Sequence, residues 1–278
     1  MILGEDSRQK DQAQKLSDAG KPEISFVVTN YNYGQYLYDA IRSITLQTGI
    51  ESKLIEVILV DDFSTDDSHQ VVNSLRRDCE TRFSRFKFLD LRKMSGENQT
   101  NSESQSNRGK LHGLNIGLRE VESPITIILD ADDTLSPEFT NKTVSLLKEK
   151  SSEDEAIDFV YTDCMLINSD GTEIGVGKSR DFDPELLMIE SYIPETAPTL
   201  TLAFKCEGVM PFNEDIPKFT KHHKWKRLVD SGSRGVYLPE PLLNYRMHGR
   251  NLSGISKNIL KNRSFVALSN HWKPSSEK

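Results

Sequence analysis

The sequence predicts an α/β fold: a mixed, mostly parallel central sheet flanked by helices, within a single domain. Three observations predict it. An apolar run without polar alternation at 125–129, the pattern of a strand buried on both faces, is preceded by strand-like runs at 24–29 and 54–60. Segments of helical spacing separate the strands in the order β-α-β-α-β-α-β, which right-handed crossovers turn into parallel neighbours. Two of the runs end in carboxylates, Asp61-Asp62 and Asp130-Ala131-Asp132-Asp133, at the strand ends where open α/β sheets bind ligands.

Taken in order, residues 1–21 hold too few apolar groups to pack and are expected to form a frayed helix or disordered arm. Pro22 opens a β-branched and aromatic first strand through Thr29, and the turn-rich Asn30-Tyr31-Asn32-Tyr33-Gly34 follows. Leu37, Ala40, Ile41, Ile44 and Leu46 recur at helical spacing. After the second strand, at Leu54 to Val60, Ser64 is placed as the N-cap of a helix. Asp66 and Asp67 would lie in its first turn, where carboxylates favour the helix dipole, and Val71, Val72 and Leu75 carry it toward Cys79.

Phe86 to Leu91 is a third strand, and the Ser/Asn/Gln/Glu-rich 95–107 a mobile loop or lid. A helix from about Lys110 leads into the fourth strand. Phe139 to Lys150 is helical and Ser151 to Glu155 a solvated loop. A strand pair follows, turned at Asn168-Ser169-Asp170-Gly171. Thr199 to Phe204 is a short strand, Phe219 to Asp230 a helix closed by Gly232, and Gly235 to Pro239 a late strand. The domain spans 22–252, and 253–278 is a helical tail.

A chain of 278 residues can bury a full core. The net charge of -7 argues against a nucleic-acid binder. Cys79, Cys164 and Cys206 form no CxxC pair and are expected to be reduced structural thiols. No apolar run approaches the roughly 20 residues that span a bilayer, and the first residues lack the apolar core of a secretory signal. The expectation is a cytoplasmic protein. Lys257, Lys261 and Arg263 allow peripheral contact with an acidic membrane, or simply the solvated face of a docked helix.

Three carboxylates within Asp130 to Asp133 repel one another unless a cation or a set of donors offsets them. A divalent metal site and a solvated capping turn both suit the segment. The absence of GxGxxG after the first strand, and of GxxxxGK[ST] anywhere, disfavours dinucleotide and P-loop chemistry.

Several motifs occur in order: Ile24 to Asn32 with Ile41 to Thr48, Val57 to Asp66, Leu114 to Leu118, Leu129 to Asp133, and Tyr237 to His248. On these the chain resembles a family 2 glycosyltransferase of the GT-A, Rossmann-like fold. The resemblance implies inverting transfer of a sugar from a nucleoside diphosphate sugar, a UDP-sugar foremost, to a hydroxyl of a saccharide or lipid-linked acceptor, in polysaccharide or glycoconjugate synthesis. It divides the domain into a nucleotide-sugar half, 22–133, and an acceptor half, 134–252. It assigns Thr29, Tyr31, Asn32, Asp61, Asp62, Asn115, Asp130 and Ala131 to the donor. It assigns Asp130, Asp132 and Asp133, with His248 nearby, to Mg²⁺ or Mn²⁺. On the residues alone, Asn115 equally suits a helix brace and His248 an ordinary surface histidine.

The departure lies in the acceptor half. The family's Glu-Asp pair, whose Asp is the general base, falls on Thr220-Lys221, ahead of Trp225-Lys226-Arg227-Leu228. A protonated lysine cannot take the acceptor proton. His222, His223, Asp215 and Glu214 are the candidate substitutes, and a catalytically impaired nucleotide-sugar-binding or scaffold protein is the alternative. A nucleotidyltransferase is disfavoured because no Gly-rich, Arg-containing loop follows the first strand.

Overall fold

The computed structural model describes residues 21–94, 106–154, 157–216 and 220–248. The expected arm up to residue 20, the polar loop at 95–105 and the C-terminal tail lie outside the described residues. The elements are β1 (Ile24–Asn30), α1 (Gly34–Thr45), β2 (Ile55–Asp61), α2 (Ser68–Arg82), β3 (Arg85–Asp90), α3 (Leu91–Met94), α4 (Lys110–Arg119) and β4 (Ile125–Asp130). After them come β5 (Thr134–Leu135), α5 (Phe139–Glu153), β6 (Ile157–Ile167), β7 (Glu173–Gly177), α6 (Pro184–Ile189), β8 (Thr199–Leu200), α7 (Thr201–Lys205), α8 (Thr220–Asp230) and β9 (Arg234–Arg246).

The strands join in one sheet of order β3-β2-β1-β4-β8-β6-β9-β5, with β7 paired to β6. The first four strands are parallel throughout, as expected. Antiparallel pairing enters with β8 against β4 and β6, β5 against β9, and β7 against β6, whereas β6 and β9 run parallel. Register aligns Thr29 with both Val60 and Asp130, and Asn30 with Asp61. The carboxyl ends of β1, β2 and β4 therefore form a level rim, and whatever leaves that rim shares one space.

Strand alternation sorts the core into two layers. Phe26, Val28, Val57, Leu59, Ile127 and Leu129 face α1, α2 and α5 through Leu37, Ile41, Val72, Phe139 and Leu147. Val27, Ile58, Val60 and Ile128 face the opposite side, packing with Leu111, Leu114 and Leu118 of α4 and with Phe159, Trp225 and Leu228. Both faces of the central strands are covered, which is why their sequences are mostly apolar, with buried Ser25 and Glu56 as exceptions.

Several boundaries move from their expected places. Helix α2 starts at Ser68, not Ser64. The Ser64 hydroxyl is taken instead by the Asn32 N–H (2.9 Å) and the Asn30 amide (3.2 Å). The N-cap position is Asp67, which makes no capping bond through its side chain, and neighbouring Asp66 receives the N–H groups of Ser68 (3.0 Å) and Gly34 (2.9 Å), tying α1 to α2. Helix α5 continues through Ser151-Ser152 to Glu153, held by the Lys150–Glu153 pair at 2.9 Å. Thr199 to Phe204 divides into two strand residues and the short α7. The late strand runs through to Arg246, because it pairs along most of β6 and then with β5. Among the described residues no helix is long and apolar enough to cross a membrane.

Candidate active site

A cavity of about 570 Å³ opens over the rim of β1 and β4. Thr29, Asn30, Tyr31, Tyr33, Asp62 and the carboxylates Asp130, Asp132 and Asp133 line the sheet side. Arg108, Lys110, Glu195, Glu214, Lys221 and Tyr245 are among the residues that line the remainder.

The acid trio is built by the end of β4. The Ala131 N–H returns to the Thr29 carbonyl (3.1 Å) and the Asp133 N–H to the Asp130 carbonyl (3.0 Å), so the chain turns within four residues and keeps the three side chains together. One carboxylate oxygen from each lies within 4.8 Å of the others. Asp130 receives the Thr29 hydroxyl at 3.1 Å and the Lys110 ammonium at 2.6 Å. Asp132 pairs with His248 Nε2 at 2.9 Å, and Asp133 accepts the Arg246 N–H at 2.9 Å. His248 is itself held between the rings of Tyr33 and Tyr36, each 5.3 Å away.

Burial, then the charges of Asp132 and Asp130, push the Asp133 carboxyl well above the ordinary carboxylate range. Burial likewise raises Asp130, against the pull of Lys110. A carboxylate that is costly to ionise among its neighbours gains from a divalent cation. Three clustered oxygen donors facing a cavity fit a hard ion such as Mg²⁺ or Mn²⁺.

A second cluster of similar spacing, Asp61, His69 and Asp90, sits on the same rim but off the cavity wall. Buried Asp61 receives the Asn30 amide (2.7 Å), the Ser64 N–H (3.0 Å) and His69 Nε2 (3.2 Å). His69 reaches Asp90 on its other side at 3.6 Å. Asn32 is similarly occupied: it has φ +56°, and its side-chain oxygen accepts the Thr65 N–H at 2.7 Å. Ala131 is fully buried. Of the residues expected at the donor, Thr29, Tyr31, Asp62 and Asp130 line the cavity, whereas Asn32, Asp61, Asn115 and Ala131 stand behind it. Asp62 accepts the Gly109 N–H (2.7 Å) and the Arg108 N–H (3.2 Å), fixing the entry to α4; burial raises its carboxyl.

Another part of the cavity wall is organised by α8. Lys221 lines the cavity; His222 and His223 do not. Successive helical residues turn by about 100°, so one helix face presents Lys221 and Lys224 while the histidines point elsewhere. His222 Nε2 donates to the Leu187 carbonyl (2.6 Å), and His223 Nε2 accepts the Asn213 N–H (3.3 Å). Asp215 is exposed and off the wall. Glu214 is on it, gripped by His112 Nδ1 (2.9 Å), the Arg108 guanidinium (3.1 Å) and the Asn115 amide (3.1 Å). Burial alone would raise the Glu214 carboxyl, but the bonds from Asn115 and His112 prevail and lower it.

Two buried groups here escaped the sequence reading. Lys110 bridges Asp130 to Glu195 (3.1 Å), and Glu195 meets Lys224 at 2.8 Å. Despite burial, the two lysines draw the Glu195 carboxyl down to about 2. Trp225 holds this loop through Nε1 to the Pro194 carbonyl at 3.0 Å, and its ring packs 4.7 Å from that of Phe159. The available signal was weak: a lysine against the dipole at the start of α4, and a carboxylate inside the apolar, proline-bounded Ile193-Pro194-Glu195.

Comparison with known proteins agrees with this architecture. The profile "Glycosyl transferase family 2" matches residues 25–165. An uncharacterised glycosyltransferase of Nostoc sp. is 25% identical over 273 residues, covering 90% of this chain and 74% of that protein. The poly(ribitol-phosphate) beta-N-acetylglucosaminyltransferase TarS of Staphylococcus aureus is 26% identical over 174 residues, 62% of this chain and 26% of its own. The structure of TarS 1-349 in complex with UDP-GlcNAc superposes with a TM-score of 0.60 at 16% identity, covering 81% of this chain and 58% of that one. A Pyrobaculum calidifontis mannosyltransferase in complex with GDP-Man and Mn²⁺ gives a TM-score of 0.56 at 18% identity, covering 84% and 59%. At such identities the likeness is one of fold, and the chain spans under two thirds of those solved chains.

Proposed function

This chain belongs to glycosyl transferase family 2, and from that premise we propose that it moves a sugar from a nucleoside diphosphate donor to an acceptor hydroxyl, with inversion and with a divalent cation on the acid trio. The observation that carries the reading is the trio's position: Asp130, Asp132 and Asp133 open into a cavity that Thr29, Tyr31 and Asp62 also line, at the level rim of a parallel sheet. Donors such as the UDP-GlcNAc and GDP-Man bound by the structural neighbours are the class to test first.

In this reading Tyr31 and Asp62 border the nucleoside, the exposed ring offering a stacking face and the carboxylate an acceptor. Asp61, behind them, keeps the Asn30–Ser64 corner in place. Asp130 and Asp132 hold the cation, and Asp133 and His248 support them. When bound, the cation neutralises charge on the leaving diphosphate. Lys110, shared between Asp130 and Glu195, keeps Asp130 oriented toward the cavity.

Glu214 is the candidate base that the cavity supports, since it lies on the wall and is ionised. Asn115, His112 and Arg108 orient it. Glu214→Gln is expected to lower kcat by about 10² to 10⁴ while nucleotide affinity stays level. An unchanged kcat would remove Glu214 from the role.

Lys221 on the wall favours a second reading, in which the protein binds a nucleotide-sugar without turning it over. The deciding experiment incubates the full chain with UDP- and GDP-sugars, with and without Mn²⁺, and follows free nucleoside diphosphate. Metal-dependent release supports the transferase. Nucleotide binding with no release from any donor, in the presence of saccharide and polyol acceptors, supports the binding protein.

A further inference from the structure

Arg246 closes β9 and stands outside the cavity wall, yet its side chain gathers several parts of the chain around the acid trio. Its Nε donates to the Asp132 carbonyl at 2.9 Å. Nη1 donates to the carbonyls of Ser169 (3.1 Å) and Asn168 (3.4 Å), in the turn between β6 and β7. Nη2 lies 3.8 Å from the Asp39 carboxylate of α1, and the guanidinium sits 4.7 Å from the centre of the Tyr36 ring. The Arg246 N–H meets Asp133 Oδ1 at 2.9 Å. Two residues on, the His248 ring stacks on the same Tyr36 at 5.3 Å, and its Nε2 pairs with Asp132 Oδ2 at 2.9 Å.

A guanidinium only 3% exposed is costly to bury unless its fork of donors is met, and these acceptors meet it. The bond to the Asp132 carbonyl fixes the peptide between Asp132 and Asp133. The turn carbonyls and the Tyr36 ring in turn hold the guanidinium. Asp132 is thus gripped through its main chain by Arg246 and through its carboxylate by His248, and both of those side chains rest against Tyr36.

We propose, on the reading of the trio as a cation site, that Arg246 is its positioning residue. It sets the orientation of Asp132 and Asp133 and, through them, the affinity for a divalent cation. Lysine is a poor substitute, because one ammonium cannot reach the Asp132 carbonyl, the turn carbonyls and the ring together. Plain electrostatics gives the opposite sign. Deleting a positive charge beside three carboxylates should tighten a cation, whereas loss of positioning should weaken it.

The test follows Mn²⁺ binding to the full chain by electron paramagnetic resonance, for Mn²⁺ alone and with saturating UDP or GDP. Wild type is compared with Arg246→Met and Arg246→Lys well below the Tm of each. Both variants are expected to weaken Mn²⁺ by about tenfold to a hundredfold. Tyr36→Leu keeps the guanidinium and the trio but removes the ring they share with His248, and it is expected to weaken Mn²⁺ by a smaller factor.

Unchanged or tighter Mn²⁺ binding in Arg246→Met overturns the proposal; a fall in Tm with that affinity intact leaves Arg246 a role in stability alone. Wild-type affinity in Arg246→Lys overturns it too, since charge would then suffice. If neither Arg246 variant folds, Tyr36→Leu decides by the same readout: weaker binding supports the proposal and unchanged binding overturns it. A wild type that binds no Mn²⁺ in either condition removes the cation reading and this inference with it. A wild type that binds Mn²⁺, with variants that match it, removes the inference alone.

Discussion

The rim of the sheet carries two acidic clusters of nearly the same dimensions, Asp61–His69–Asp90 and Asp130–Asp132–Asp133. Spacing does not tell them apart; their donors do. Asp61 is met by the Asn30 amide, the Ser64 N–H and His69, all supplied by elements that pack around it. The second trio is met by Lys110, His248 and the Arg246 N–H, yet Asp133 stays well above the ordinary carboxylate range. It also faces the cavity, which the first cluster does not. A set of acids becomes a candidate cation site where the fold leaves its charge under-matched and open to a ligand. The same residue types, held by packed neighbours away from the cavity, are a brace.

The comparison can be broken most severely at Glu195, which shares Lys110 with the trio. Glu195→Ala strands the buried Lys224 and is expected to cost about 3–5 kcal/mol of stability, read by denaturant unfolding. Because its folded-state carboxyl is depressed to about 2, its contribution is complete above the unfolded value of about 4.3 and is lost as pH falls toward 2. The acid limb of the wild-type stability profile should therefore flatten in Glu195→Gln. An unaltered limb would mean that the ion pair carries no net stability.

Asp132→Asn addresses the trio itself. Transfer is expected to fall by about 10² to 10³, or about 2.7–4 kcal/mol of transition-state stabilisation, and Mn²⁺ affinity to fall with it, while Tm holds or rises. A large loss of Tm with Mn²⁺ affinity intact would make the trio a structural brace like its neighbour. Asp61→Ala should show the mirror image. Stability drops by about 1–3 kcal/mol as the donors of Asn30 and Ser64 lose their acceptor, and Mn²⁺ affinity is unaffected. The smallest effect is expected at half-buried His69: His69→Gln should cost under about 1 kcal/mol by thermal unfolding and leave metal affinity level. Weaker Mn²⁺ binding in either variant would erase the distinction between the clusters.

Much of the first half of the chain was legible before the structure. Mostly apolar, β-branched runs specified β1, β2 and β4, since burial on both faces favours that pattern, and Asp130 to Asp133 close one of them. Less of the second half could be read. Lys221, His222 and His223 are adjacent in sequence, and only the phase of α8 decides that the lysine reaches the cavity and the histidines bond to Leu187 and Asn213. Ser64 looked like a cap because its chemistry suits one; two asparagine donors claimed it first.

By itself, then, the sequence determined the strands and helices of the parallel half in their chain order, the family and the acid-rich turn, because each is written in contiguous residues whose pattern is local. Tertiary structure alone decided which acids face the cavity, which lysines join them there, and which candidate base lies on the wall. Those outcomes depend on contacts such as Lys110 to Glu195 and Asn115 to Glu214, across 85 and 99 residues of chain, and on the rotation of a single helix. Charge matching is settled between side chains that meet only after the two halves have packed, and no local pattern records it.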